Sequence, residues 1–442
     1  MRVAAKNYFV AIFCRESYLF TRIGFMNYFT SEHPFALEAG GSLPGITVGY
    51  HTYGRLNADR SNVVWVCHAL TANSDVARWW PGVVGEHGAI RPEDYFIVCA
   101  NILGSCYGSS GPLGAGPGIG EHGVGRQEGA GSGQGEVPGA GGNEAGAGSG
   151  GLRGVGGSEA GAGGSGGASG TGGNEAGTGG RGAMRGAGGS AVADVARVGE
   201  PPLYSAFPMI TIRDMVRAHI LLRKHLGIDR IHLLMGGSMG GYQVLEWAVM
   251  EAELIGKLFL IATSPTESAW GIAVHTAQRL AIEADSSWRD AAPGAGQMGL
   301  KAARAVGILT YRNYGIMVQK QTDPDAEKLD GYRASSYIEY QGKKLIERFN
   351  AYCYWLLTKA MDSHHIGRGR GGDAEAVLRG IRQKTLLIGI TSDILCPVEE
   401  QRHIAAHLPD AQFIEIDSAY GHDGFMVEGT KIANHLRDWL SV

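Results

Sequence analysis

Position 238 is a serine in the run Gly236-Gly237-Ser238-Met239-Gly240, which lies between the apolar stretch Ile231-His232-Leu233-Leu234-Met235 and a helix-compatible stretch, 241–250. Glycines two residues before and two after the serine allow a sharp strand-to-helix turn that lifts its hydroxyl above the strand ends. A serine so placed is a candidate nucleophile, and it needs a base to take its proton and a carboxylate to orient that base. Asp393 follows the run 385–390, and His422 follows the run 412–416 at Gly421, so both side chains are expected to emerge just past strand ends. Imidazole moves a proton near neutral pH, and a buried carboxylate fixes its tautomer. An oxyanion formed at the serine needs two amides. Met239 N–H supplies one, and the loop His68-Ala69-Leu70-Thr71 supplies the other through Leu70 or Thr71. The plain alternatives are a tight turn with an idle serine, a loop-capping aspartate and an ordinary strand-end loop.

These residues need a sheet whose strands end on one side. Val63 to Cys67, Tyr95 to Ala100, Lys257 to Ala262, Thr385 to Ile390 and Gln412 to Ile416 read as buried parallel strands, together with the one that enters the elbow. Thr211 to Leu226 reads as a helix, opened by a Thr211/Asp214 capping box and stopped at Gly227. Alternating strands and helices predict an α/β fold, and the order Ser, Asp, His is that of an α/β-hydrolase triad. No strand is expected between 262 and 384. Helical pieces at His275 to Ala284, Leu300 to Leu309 and Leu345 to Lys359 occupy that stretch, and it reads as a lid over the strand ends. The expected organisation is a core of 26–265 and 381–442, a helical lid of 266–380, a glycine-rich disordered insertion at 113–200, and an N-terminal extension, 1–25, that precedes an alternative start at Met26.

The chain has 442 residues, and about half of its 71 glycines fall in that insertion. Gly-Gly-Asn-Glu-Ala-Gly occurs there at 141–146 and 172–177. With almost no large apolar side chains to bury, the insertion cannot offset a backbone ordering cost of roughly 1–2 kcal/mol per residue. Asp194 is its only aspartate, which argues against a calcium-binding repeat. A net charge of −4 offers no basic surface for nucleic acid, and no apolar run is long enough to span a membrane. Six cysteines without a C-x-x-C pair point to reduced thiols in a cytoplasmic protein.

Seven ordered motifs together resemble the homoserine O-acetyltransferase family. They are His68 to Thr71, Cys99 to Pro112, Gly236 to Gly241, Gln278 to Ile282, Gly299 to Arg304, Leu309 to Arg312 and Gly421 to Phe425. The resemblance runs from about Phe29 to the C-terminus, apart from the glycine-rich insertion. It implies acetyl transfer from acetyl-coenzyme A, as co-substrate, to the hydroxyl of L-homoserine, for methionine biosynthesis. It implies no metal or bound cofactor, and a homodimer formed through the lid helices. It also places Ser238, Asp393 and His422 as the triad, with Arg304, Asp423 and Tyr311 around the amino acid. The physical rationale is that a zwitterion needs a cation for its carboxylate, here Arg304, and an anion for its ammonium, here Asp423. The insertion after Pro112 and the segment Arg289 to Gln297 depart from the family pattern. Competing readings are a sister enzyme using succinyl-coenzyme A or serine, a plain esterase, and a non-catalytic interaction protein.

Overall fold

The first strand, β1 (Asn27–Ser31), opens the fold and is followed by a separate small hairpin of β2 (Phe35–Ala36) and β3 (Ser42–Leu43). The main sheet continues with β4 (Ile46–Tyr53), β5 (Val63–Cys67), β6 (Phe96–Ala100), β7 (Ile231–Gly237), β8 (Ile255–Ile261), β9 (Lys384–Ile390) and β10 (Ala411–Ile416). Its eight strands lie in the order β1-β4-β6-β5-β7-β8-β9-β10. β4 is antiparallel to both β1 and β6, and the remaining neighbours are parallel. This computed structural model describes residues 26–116 and 202–442. The expected extension, 1–25, residues 117–200 of the expected insertion and Pro201 lie outside the described residues.

Continuous apolar runs make these strands because both faces of the sheet are covered. Val63, Trp65 and Cys67 of β5 enter one core cluster, and Val64 and Val66 enter the other. Burying each such aliphatic side chain stabilises the fold by roughly 1.5–3 kcal/mol. The described residues belong to one compact unit.

The short helix α1 (Val76–Trp79) follows β5, and α2 (Ile212–His225) precedes β7. Thr211 caps α2 as read from the sequence: its side chain accepts from Asp214 N, and the Asp214 carboxylate accepts from Thr211 N. Next come α3 (Met239–Met250), α4 (Ala269–Glu283), α5 (Gln297–Tyr311), α6 (Tyr314–Gln321), α7 (Arg333–Ile346), α8 (Ala351–Asp362) and α9 (Ala374–Gly380). Helices α4 to α9 fill the interval between β8 and β9, where an all-helical segment is expected. The single helix expected over Leu345 to Lys359 is in fact two. Asn350 breaks it, because its side chain accepts from Tyr352 N and Cys353 N and so starts α8 afresh. The chain closes with α10 (Val398–His407), α11 (Gly424–Val427) and α12 (Gly429–Leu440).

Residues 113–116, at the head of the expected insertion, are packed rather than loose. Gly111 and Gly114 exchange backbone hydrogen bonds, Gly116 N–H donates to Gly108 O, and Ala115 is buried. Beyond the undescribed stretch, Tyr204 N–H donates to Pro112 O at 2.8 Å, so its two flanks meet.

The turn from β7 into α3 presses against the end of β5. A Cβ at Gly240 would lie 2.2 Å from Cys67 O, and one at Gly236 would lie 2.5 Å from the Gly240 carbonyl. Both approaches are to backbone, which cannot swing away. Gly240→Ala is therefore expected to lower the unfolding free energy by roughly 1–3 kcal/mol, read as a lower urea midpoint; an unchanged midpoint would show that this approach is not tight.

Candidate active site

Ser238 sits between β7 and α3 with φ +55°, a left-handed backbone that a side-chain-bearing residue adopts only when its surroundings hold it there. Three bonds do so: Ser238 N–H donates to Ile261 O at 3.0 Å, and its carbonyl accepts from Gly241 N (2.8 Å) and Thr263 Oγ1 (2.9 Å). As the first residue of α3, Met239 has an N–H with no intrahelical acceptor.

Asp393 lies three residues past β9. Its Oδ1 accepts from Leu395 N (2.8 Å) and Cys396 N (2.9 Å), and its Oδ2 lies 2.7 Å from His422 Nδ1. His422 sits in a 3₁₀ turn after β10, opened by Gly421 at φ +63°. An ionised carboxylate only accepts, so Nδ1 carries the ring proton and Nε2 faces Ser238 Oγ at 2.9 Å as an open base. All three side chains are buried. Burial alone would lower the His422 pKa, but the adjoining Asp393 charge and hydrogen bond outweigh it and hold the imidazole above its ordinary value.

The loop after β5 is held from three sides. His68 Nε2 accepts from Ile102 N at 3.2 Å, so Nδ1 carries the proton and donates to Ala69 O at 2.8 Å. Burial pushes the His68 pKa down to about 4, which keeps the ring neutral and this tautomer fixed. Gln243 of α3 donates to His68 O at 3.2 Å. From the turn between α7 and α8, Arg348 Nη1 donates to Thr71 O (2.5 Å) and Tyr107 Oη (3.0 Å), and Nη2 donates to Thr71 Oγ1 (3.2 Å). Tyr107 is buried edge-on against Phe349, so the loop after β6 is firmly packed beside the point where the insertion begins. Leu70 and Thr71 thus belong to a loop pinned between the helical segment and α3. Arg348 was not assigned from the sequence.

Arg304 and Tyr311 lie seven residues apart on α5, with the Arg304 guanidinium 5.3 Å from the Tyr311 ring centroid. The Tyr311 ring is in turn 5.9 Å from the His422 ring. Arg304 Nε is buried with no hydrogen-bond partner. Asp423, next to His422, is ion-paired: Arg312 Nε stands 3.1 Å from its Oδ2, without hydrogen-bond alignment. Gln278 of α4 is fully buried with neither amide atom hydrogen-bonded, a residue to which the sequence assigned no role. Val274, Leu395 and Cys396 form an apolar cluster against Tyr311, which joins the helical segment to the Asp393 loop. Hence α5 sets the Tyr311 ring beside His422 with the Arg304 guanidinium against that ring.

A proton-transfer chain ending on a serine beside a helix N-terminus can form and break acyl esters. Known proteins narrow this. A family model described as the alpha/beta hydrolase fold matches residues 152–429. A homoserine O-acetyltransferase of Cyclobacterium marinum is 38% identical over 411 residues, spanning 93% of this chain and 94% of that protein. One of Chlorobaculum tepidum is 37% identical over 406 residues, spanning 91% and 90%. Among solved structures, homoserine O-acetyltransferase from Bacillus anthracis superposes with a TM-score of 0.71 at 20% identity, covering 96% of this chain and 99% of that one. Esterase E22 superposes with a TM-score of 0.69 at 17% identity, covering 95% and 100%. The structural likenesses establish the fold, which an esterase and a transferase share, and the sequence identity separates the two. This chain belongs to the homoserine O-acetyltransferase family.

Proposed function

We propose that this protein transfers the acetyl group of acetyl-coenzyme A to the hydroxyl of L-homoserine through an acyl-Ser238 intermediate. The observation that carries the reading is family membership over nine-tenths of the chain, joined to an assembled Ser238–His422–Asp393 relay. His422 Nε2 takes the Ser238 proton as Oγ attacks the thioester carbonyl. Met239 N–H and an amide of Leu70 or Thr71 hold the oxyanion. The C–S bond then breaks, and the imidazolium returns the proton to the coenzyme A sulfur. In the second half His422 takes the homoserine hydroxyl proton, the alkoxide attacks the acyl-serine, and Ser238 leaves with that proton. Arg304, with a buried unpartnered donor, suits the acceptor carboxylate, and Asp423 suits the ammonium while shared with Arg312. Tyr311 walls the pocket beside the base. The segment 266–380 acts as the lid, and it excludes water that would otherwise hydrolyse the acyl-serine. No metal or resident cofactor is needed by this chemistry.

The homodimer reading has support in the surface. Apart from Ile394 and Val442, every exposed large apolar residue among those described lies between Trp270 and Tyr340. Leu280, Leu309 and Tyr314 are 60%, 63% and 83% exposed on three successive helices. Exposed apolar side chains of that size are what a subunit interface would cover. A cytoplasmic setting is supported by Cys67, Cys99, Cys106, Cys353 and Cys396, all free and buried; Cys14 lies outside the described residues. No helix among the described residues is long and apolar enough to cross a membrane.

Release of free coenzyme A, measured with acetyl- and succinyl-coenzyme A and with homoserine, serine or no acceptor, tests the activity. Fast release is expected only with the acetyl donor plus homoserine, and Ser238→Ala should abolish it at unchanged thermal stability. A succinyl or serine preference would move the assignment to a sister enzyme, and acceptor-independent release would make it an esterase. Because His422 must be neutral to act and its pKa is raised, kcat/KM should fall on acidification with an inflection above the ordinary imidazole value of about 6.5. An inflection below that value would contradict the pairing with Asp393. For the assembly, light scattering should give a dimer mass for the wild type and a monomer mass for Leu280→Glu/Leu309→Glu; a monomeric wild type would refute the interface.

A further inference from the structure

Away from the triad, α10 carries His403 and His407 four residues apart, so both rings project from one face. Their centroids are 4.5 Å apart. Glu375, in the first turn of α9, meets them: its Oε2 is 3.2 Å from His407 Nε2 and its Oε1 is 3.8 Å from His403 Nε2. The three ligand atoms all fall within 4.8 Å of one another.

The tautomer of His407 makes this more than a surface cluster. Its Nδ1 lies 2.8 Å from His403 O, a carbonyl that can only accept, so Nδ1 carries the ring proton. In the neutral ring Nε2 is then a bare lone pair aimed at a carboxylate oxygen, itself an acceptor. Two acceptors at that separation repel unless a cation lies between them. A backbone carbonyl that fixes the remote ring nitrogen is also the usual support of a metal-bound histidine. Arg379 Nη1 stands 3.5 Å from Glu375 Oε2, too far for a good hydrogen bond.

We propose that Glu375, His403 and His407 bind a zinc ion that clips α9 to α10. Zinc bonds to imidazole nitrogen and carboxylate oxygen are about 2.0–2.2 Å, which places tetrahedral ligands roughly 3.3 Å apart. The His407–Glu375 pair already has that spacing, and the exposed His403 ring reaches it by a small side-chain rotation. Two imidazoles and one carboxylate suit zinc and its late first-row neighbours rather than calcium or magnesium, which take oxygen ligands. Three protein ligands leave the fourth position to water. The ion would join the last helix of the segment inserted after β8 to the helix that covers β9 and β10, away from the acyl-transfer groups.

The test is calorimetric titration of zinc chloride into the full chain after chelator treatment and removal of the chelator. One site per chain is expected, with affinity falling at least about tenfold in His403→Ala and in His407→Ala and less in Glu375→Gln, because each side chain offers one ligand atom. Zinc should also raise the melting temperature of the wild type by a few degrees, and not that of the His403→Ala/His407→Ala double variant. These residues are at the surface, so the variants should fold and release coenzyme A at the wild-type rate. His422→Ala is the control, since Asp393, Cys396 and His422 are a second group with ligand atoms close together. Zinc binding that survives the double variant and vanishes in His422→Ala would overturn the proposal, as would a wild type that binds zinc no more tightly than the double variant.

Discussion

The approach of the Cys67 carbonyl to Gly240 is the constraint on which the site rests. It brings the end of β5 against the first turn of α3, and that contact excludes any side chain at Gly240. The chain must therefore turn at Ser238 with a backbone that costs on the order of 1–3 kcal/mol, offset by bonds to Ile261, Thr263 and Gly241. From this one turn follow the position of the Ser238 hydroxyl, the open amide of Met239 and the nearness of the β5 loop. The parallel register of β7, β8, β9 and β10 then delivers Asp393 and His422 to the same edge.

The β5 loop couples two parts of the molecule. A neutral His68 fixes it to the β6 end through Ile102, and Arg348 fixes Thr71 from the helical segment. A change in the packing of α7 and α8 therefore reaches the amides of Leu70 and Thr71 without passing through the triad. Because Arg348 also holds the Tyr107 hydroxyl, the loop after β6 moves with the same guanidinium. This gives a physical route by which closure of the helices over the strand ends would complete the site.

The meeting of Ser238, His422 and Asp393 and the central strands were legible from sequence because each depends on local pattern: a glycine-flanked serine, buried apolar runs, and polar residues just past strand ends. β4 was not. Its run Ile46–Tyr53 mixes Thr47, Gly49 and His51 with apolar residues, and it is buried only because distant groups satisfy it. Ser110 and Ser109 accept from Thr47 N and Gly49 N, and Ser74 bonds His51. Arg348 was illegible for the same reason, as its partners Thr71 and Tyr107 are 277 and 241 residues away in the chain. The break at Asn350 did carry a signal, an asparagine able to cap a new helix, but apolar periodicity on both sides concealed it.

The fold by itself does not choose between water and an alcohol as the second nucleophile, since an esterase shares it. The choice falls to groups outside the triad. On the reading proposed for Arg304 and Asp423, both charges are presented partly satisfied: Arg304 leans on the Tyr311 ring, and Asp423 is held by Arg312. A water molecule gains little from either. A zwitterion of the right length would satisfy the buried Arg304 Nε and share Asp423, and that binding energy would go into placing its hydroxyl at His422. The Asp423–Arg312 pair thus preorganises the carboxylate at the cost of competing for it. An acceptor ammonium that meets both oxygens would be favoured over one that must displace the guanidinium.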